Sequence, residues 1–403
     1  MNKILLAAGL VAATASANSD EPPLEIPTEA ELQFSDDLYA DQDKLEMIKS
    51  GLANLAGIRY ETTSFSSGGS GYSGVYGDFC VFDAQLNSHD DPSLYPTIED
   101  MIMTSDHCAD YTFTLPLDEV VSAVSSHDSS VGQANPPVSG MLFHMGYAGA
   151  GIMANVLATF ENALVVPEHP AIHDALFVCD FIRSKFESAD CSSSLQKQLV
   201  EDVITLATRS SDPSKTHAYI KFHADSTAYI SMVREIVSEA PWTFHYRDSE
   251  TVLAKSTQRN LDTCNLTRRN PSFLLAQKSS EYGIDLDGMS QEELCALYLS
   301  TLLEVATEEH VNSGAGKIVE YDQLLEAGFI ETVLLPYFGI DADSAAISAA
   351  VEDTLTKKSN TYGVPGNNVV QWDPASDVVD VSDKVRAASK LFMGAAAEVV
   401  GRL

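Results

Sequence analysis

The sequence predicts an α/β protein: a mostly parallel sheet flanked by helices on both faces, preceded by a small N-terminal addition. Three observations carry this expectation. Beyond Asn135-Pro136-Pro137, short apolar runs alternate with helical patterns almost to the end of the chain, the rhythm of βαβ units. The runs are nearly unbroken, as in ALVVP at Ala163–Pro167, which is how strands buried on both faces read. The chain has 403 residues, 45% hydrophobic and 20% charged, enough for a sizeable core and too apolar for general disorder.

Taken in order, residues 1–17 read as a signal peptide: Met1-Asn2-Lys3, an apolar run from Ile4 to Ala13, and Ala15-Ser16-Ala17 before Asn18. No later stretch reaches about 18 unbroken apolar residues, so no membrane span is expected in the mature form. Residues 18–94 form an acidic and Gly/Ser-rich N-terminal extension. Within it, Ser19 to Lys44 carries Pro22, Pro23 and Pro27 and predicts an extended lead. Ser64 to Gly77 predicts a Ser/Gly/Tyr loop that buries little apolar surface. Residues 95–135 lead in to the core domain, 136–403.

In the core, Met141–Gly146 predicts a strand, Gly149-Ala150-Gly151 a turn and Ile152–Phe160 a small-residue helix. Strands follow at Ala163–Pro167, Ala218–Phe222, Trp242–Tyr246 and Lys317–Glu320. Helices are expected at Ser194–Thr208, where Leu195, Leu199, Val203 and Leu206 share a face, at Tyr229–Val237, after Asp248, and at Glu292–His310. Ligands of such sheets sit beyond the carboxyl ends of the strands.

Charge and cysteines bound the function. Lys+Arg number 24 against 58 Asp+Glu, a net charge of −34, which repels nucleic acid and excludes a general DNA or RNA binder. Secretory entry makes Cys80, Cys108, Cys179, Cys191, Cys264 and Cys295 potential disulfide partners; Cys179 and Cys191 are the nearest in sequence. Asn265-Leu266-Thr267 is a glycosylation sequon. No C-x-x-C or His-rich spacing points to zinc, so no metal site is expected.

Four segments carry chemistry. Phe143 to Leu157, a strand, a Gly-rich turn and a helix start, makes an anion cradle from the backbone of Ala148, Gly149, Ala150, Gly151 and Ile152. Glu168, at a strand end, suits a general base if burial raises its pKa. Lys221, between apolar neighbours, needs an anion partner if it faces inward. Arg247, at the end of WTFHY, suits bidentate phosphate binding, with Asp248 capping the next helix. His144, His223 and His245 lie on or beside strands and read singly as core histidines.

The order of these segments resembles the P-loop sulfotransferase superfamily, which uses the sulfuryl donor PAPS, and in particular its bacterial and algal branch. His144, Gly149, Ala154, Asn155 and Leu157 match the first motif in register. Val166-Pro167-Glu168-His169-Pro170 stands for S-E-P-P, Tyr219 to Phe222 for the lysine strand, and Ala240 to Asp248 for P-W-x-F-x-Y-R-D. Val319 to Leu324 with Leu335 to Gly339, the Lys357-Lys358-Ser359 loop, and Asp106-His107-Cys108 through Leu117 continue the likeness over about residues 95 to 400.

The resemblance implies a sulfotransferase-like fold with a PAPS/PAP site. Arg247, Lys255 and Ser256 would lie at the 3′-phosphate, and Ala148 to Ile152 at the 5′ end. Glu168 and Lys221 would be catalytic, and no metal would be involved. The partner would be a hydroxyl-bearing glycan or small-molecule acceptor in the Golgi lumen or outside the cell. The departures fall on the chemistry. Tyr147 replaces the family's cation, Ala150 and Gly151 its hydroxyl pair, Ser249 its Pro, and Lys255 the 3′-phosphate Ser, with Ser256 one step late. Two readings follow: a secretory sulfotransferase, or a secreted pseudo-sulfotransferase acting as a binding or structural module. A binder of another anionic nucleotide or sulfated sugar is a third. The sequence sets no oligomeric state.

Overall fold

In the computed structural model the described residues are 44–60, 72, 74–81, 97–105, 108, 112–131, 135–185, 191–258, 264, 273–341, 345–356 and 380–394. The signal segment, nearly all of the acidic lead, most of the Ser/Gly loop, Asp106, His107, the Asn265 sequon and Lys357-Lys358-Ser359 lie outside them.

Five parallel strands form the main sheet: β4 (Val138–His144), β5 (Ala163–Pro167), β6 (His217–Lys221), β7 (Trp242–Tyr246) and β8 (Lys317–Glu320), in the order β5-β6-β4-β7-β8. Three of these strands have the bounds the sequence predicts; β4 and β6 start earlier. The chain winds from β4 to one side and later returns to the other, so the carboxyl ends of the central strands open a crevice. Both faces are covered, as expected. Leu142 points to one face, into a cluster with Val156 and Leu157 of the Ala150–Ala158 helix and with Leu334 and Phe338. Phe143 points to the other, stacked on Phe222 at 4.6 Å and edge-on to Trp242 at 6.4 Å. Trp242 in turn meets His310 of the long Gln291–Ser313 helix, whose start is fixed by a Ser290/Glu293 capping box.

A second, antiparallel sheet, β1-β2-β3, comprises β1 (Asn54–Tyr60), β2 (Val75–Cys80) and β3 (Phe113–Pro116). It departs from the expectation of an apolar-poor extension: the Ser/Gly stretch ends in a strand, with Tyr72 and Val75 buried. This sheet is tied to the core by polar contacts. Tyr60 OH donates to the Asp174 carbonyl at 2.8 Å, Tyr72 OH to Asp202 at 2.8 Å, and His169 Nε2 meets the Leu55 carbonyl at 3.0 Å. Arg209, buried, pairs with Asp128 at 2.6 Å and reaches the Ile48 carbonyl.

Three disulfides join Cys80–Cys108, Cys179–Cys191 and Cys264–Cys295. They pair all six cysteines, including the near-neighbour pair. Among the described residues no helix is long and apolar enough to cross a membrane.

Candidate functional site

The two non-glycine residues with positive φ among the described residues are Tyr147 (φ 47°) and Glu168 (φ 48°). They follow β4 and β5 at the carboxyl edge of the sheet. Left-handed backbone costs a non-glycine residue about 1–3 kcal/mol and gathers at functional sites. At Glu168 it turns the chain so that the amide donates to the Lys221 carbonyl at 2.6 Å while the side chain turns inward.

The Glu168 carboxylate is wholly buried and pairs with the Lys221 ammonium. Its Oε1 also lies 3.4 Å from His144 Nε2, and its Oε2 lies 3.6 Å from His223 Nδ1. Lys221 thus faces inward with the anion partner that its apolar setting requires. Burial alone would lift the Glu168 carboxyl. Lys221, His144 and His223 override it and hold the group well below the usual carboxylate range. The expectation of a base with a pKa raised by burial is therefore corrected: Glu168 is a firmly ionised, paired carboxylate, and three groups crowd it. Of the four, only His223 has appreciable exposure, 24% of its side chain; burial pushes its pKa down, with Glu168 opposing.

On the β4 side, the loop Met145–Gly149 carries Gly146 at φ 87° and Gly149 at φ 87°. His144 Nδ1 accepts from the Gly146 amide at 2.9 Å, which folds the loop back on its strand. Gly149 is the N-cap of the Ala150–Ala158 helix, and a Cβ there would overlap Leu324 and come within 3.0 Å of Tyr321. Gly151 lies inside the helix, without positive φ. The Ile152 amide is committed to the Gly149 carbonyl at 2.9 Å, and its side chain belongs to the core. The cradle is therefore narrower than the sequence suggests, made by the backbone from Ala148 to Gly151. Ala148 and Ala150 are buried beside it.

Two cations border this loop. The Arg247 guanidinium stacks on Tyr321 at 4.0 Å, the ring that packs against Gly149. Its Nε lies 3.6 Å from Asp248, whose Oδ1 caps the Ser249–Gln258 helix by accepting from Thr251 N at 2.9 Å. Asp248 thus caps the helix, as expected, and also pairs with Arg247. The Lys255 ammonium, buried, sits 5.9 Å from the Tyr147 ring centroid. Ser256 is also buried, and its Oγ has no hydrogen-bond partner among the described residues. The fold so gathers the predicted residues into two neighbouring groups, Glu168 with Lys221, and the loop with Arg247 and Lys255. His245 belongs to neither: it is enclosed, meets Thr243 Oγ1 at 2.9 Å, and burial drives its pKa to about 3.

Sequence reading misses three contributors. Tyr321 is the ring that carries Arg247. His173, on the Pro170–Lys185 helix, and Asp225, in the turn after β6, come to His223, with His173 Nδ1 3.4 Å from Asp225 Oδ1. The signal, an H-x-D step after a strand, is short, and His173 is remote in sequence.

No protein-family model and no curated protein matches the chain. Among solved structures it is similar to the sulfotransferase STF9 from Mycobacterium avium, with a TM-score of 0.39 and 10% identity over 70% of this chain and 80% of that one.

Proposed function

We propose that this chain is a sulfotransferase-like protein of the secretory pathway. It binds PAPS beyond the carboxyl ends of β4 and β7 and transfers the sulfuryl group to a hydroxyl of a glycan or small-molecule acceptor. One observation carries the reading: Arg247 and Lys255 border the Gly-rich loop through Tyr321 and Tyr147, with the Ser256 hydroxyl, which has no hydrogen-bond partner among the described residues, beside Lys255 in sequence. Two cations and a hydroxyl suit the 3′-phosphate of the nucleotide. The 5′ end fits less fully. The helix N-terminus supplies amides and positive potential, but Ala150 and Gly151 offer no hydroxyls.

In the transfer, the acceptor oxygen bonds to sulfur as the bond from sulfur to the PAP phosphate breaks. PAP leaves with the electron pair. The acceptor proton passes into the Glu168 cluster through His223, its most exposed member. Glu168 itself is a positioning residue, since it is wholly buried. The three disulfides are compatible with an oxidising compartment.

Calorimetry with PAP tests the site. Wild type is expected to bind, and Arg247→Ala to weaken binding by about 1.5–3 kcal/mol, the size of a charged hydrogen bond. Equal affinity in both, with both folded, would remove this strand end from the site. A second reading, the non-catalytic binding module, is favoured by the pairing of Lys221 with Glu168, which neutralises one cation that could stand in for the one Tyr147 replaces. PAP binding without turnover of PAPS on glycan or small-alcohol acceptors selects it.

A further inference from the structure

We propose that His173, His223 and Asp225 form a binding site for a divalent transition-metal ion of the zinc class, open to solvent at one position. The three side chains come from the Pro170–Lys185 helix and from the turn that follows β6. Their donor atoms lie within 4.8 Å of one another. His173 Nδ1 and Asp225 Oδ1 are 3.4 Å apart, too far for a good hydrogen bond. Two ligands of a tetrahedral zinc ion, each about 2.0–2.1 Å from the metal, stand about 3.3 Å apart. The remaining separations, all within 4.8 Å, have to close toward that value for His223 to complete the set.

Two further observations point to a ligand. His173 Nδ1 and His223 Nε2 are buried nitrogen atoms with no hydrogen-bond partner among the described residues, a costly arrangement unless something binds them. The opposite nitrogen of His223, Nδ1, faces the ionised Glu168 at 3.6 Å. In metal-bound imidazoles an outer carboxylate at hydrogen-bond distance fixes the tautomer and raises the basicity of the ligating nitrogen; Glu168 stands on that side of His223 and has to close from 3.6 Å to take the part. Two imidazoles and one carboxylate suit zinc and its neighbours, whereas magnesium and calcium take oxygen ligands. Three protein ligands leave the fourth position of a tetrahedral ion for water or a substrate hydroxyl, which the ion would acidify. An ion on His223 Nε2 takes that atom out of proton transfer, so the two roles of His223 exclude each other and the transfer step through His223 belongs to the metal-free chain. The site stands on its own geometry, and PAP binding in the loop neither requires nor tests it.

The test uses the full chain, stripped with EDTA and titrated with Zn2+ against a chromophoric chelator, then with Co2+ to read the ligand field. One tight equivalent per chain is expected, with Co2+ bands of four- or five-coordinate form. His173→Ala and Asp225→Asn, both changes at partly exposed side chains, should weaken Zn2+ by more than the about 10–100-fold that loss of an outer carboxylate costs. Far-UV circular dichroism shows that each variant is folded, and PAP calorimetry on the same samples reads the nucleotide site separately. No tight equivalent in wild type, or unchanged Zn2+ affinity in folded His173→Ala, would overturn the proposal.

Discussion

Lys221 and Glu168 show what a single buried pair demands. Each is enclosed at the carboxyl edge of the sheet, where an unpaired charge is expensive. Lys221→Met leaves the carboxylate without its main partner, and a loss of about 3–5 kcal/mol is expected in urea denaturation. Adding Glu168→Gln to the same chain should recover much of that loss, because a neutral amide is cheaper to bury than a lone carboxylate. An unchanged midpoint for Lys221→Met would mean that the pair contributes nothing to the fold. The need for a partner is legible in sequence, since AYIKF puts one charge among apolar neighbours. The partner's identity is not, because β5 and β6 meet only when the sheet forms. The same limit hides His173, on the Pro170–Lys185 helix. Residues at strand ends announce themselves; residues brought to them by a neighbouring helix do not.

At the scale of elements, parallel strands were legible and antiparallel ones were not. The strand ALVVP is buried throughout and so reads as one apolar run. By contrast, β1 (NLAGIRY) has an irregular burial pattern and a register shift between Leu55 and Gly57, and β2 (VYGDFC) contains Gly77 and Asp78. Neither sequence shows the apolar/polar alternation that marks a half-buried strand, although burial along β2 alternates over its first five residues. In the β4 loop, the sequence GAG locates a turn without saying which glycine the backbone needs. It is Gly149, left-handed and pressed on Leu324 and Tyr321. Gly149→Ala should therefore displace Tyr321, and with it Arg247, so that both stability and PAP affinity fall. Gly146 shares the φ of 87° but has open space where a Cβ would stand. Gly146→Ala should show only the left-handed penalty, about 1–2 kcal/mol, measured by thermal denaturation, with PAP affinity kept. Equal loss of PAP binding in both variants would mean that the contact with Tyr321 is irrelevant.

Across the whole molecule, the net charge of −34 is legible at once and says little about the fold. The acid response depends instead on a few enclosed imidazoles. His169 and His245 are buried, and burial pushes both from the ordinary 6.5 to about 3. Their folded pKa values lie below the unfolded ones. Below the ordinary value the unfolded chain therefore binds more protons, and stability falls as pH falls from 6.5 toward 3. Each histidine contributes a slope approaching about 1.4 kcal/mol per pH unit. Glu168 adds loss in the same direction only below its ordinary 4.5. Between about pH 6 and about pH 5, unfolding free energy should drop by about 2–3 kcal/mol in urea titrations. His169 gives the loss a place. Its Nδ1 accepts from the Ala171 amide at 3.1 Å while its Nε2 meets the Leu55 carbonyl at 3.0 Å, a pattern that only the neutral ring with its proton on Nε2 satisfies. Protonation at Nδ1 breaks the inner bond and puts a charge where β1 meets the core. Amide exchange in β1 should accordingly accelerate in acid before that of β4 and β7, and His169→Gln should flatten the slope. Stability that stays level across this interval, with β1 as protected as β4, would show that the antiparallel sheet is held by something other than this imidazole.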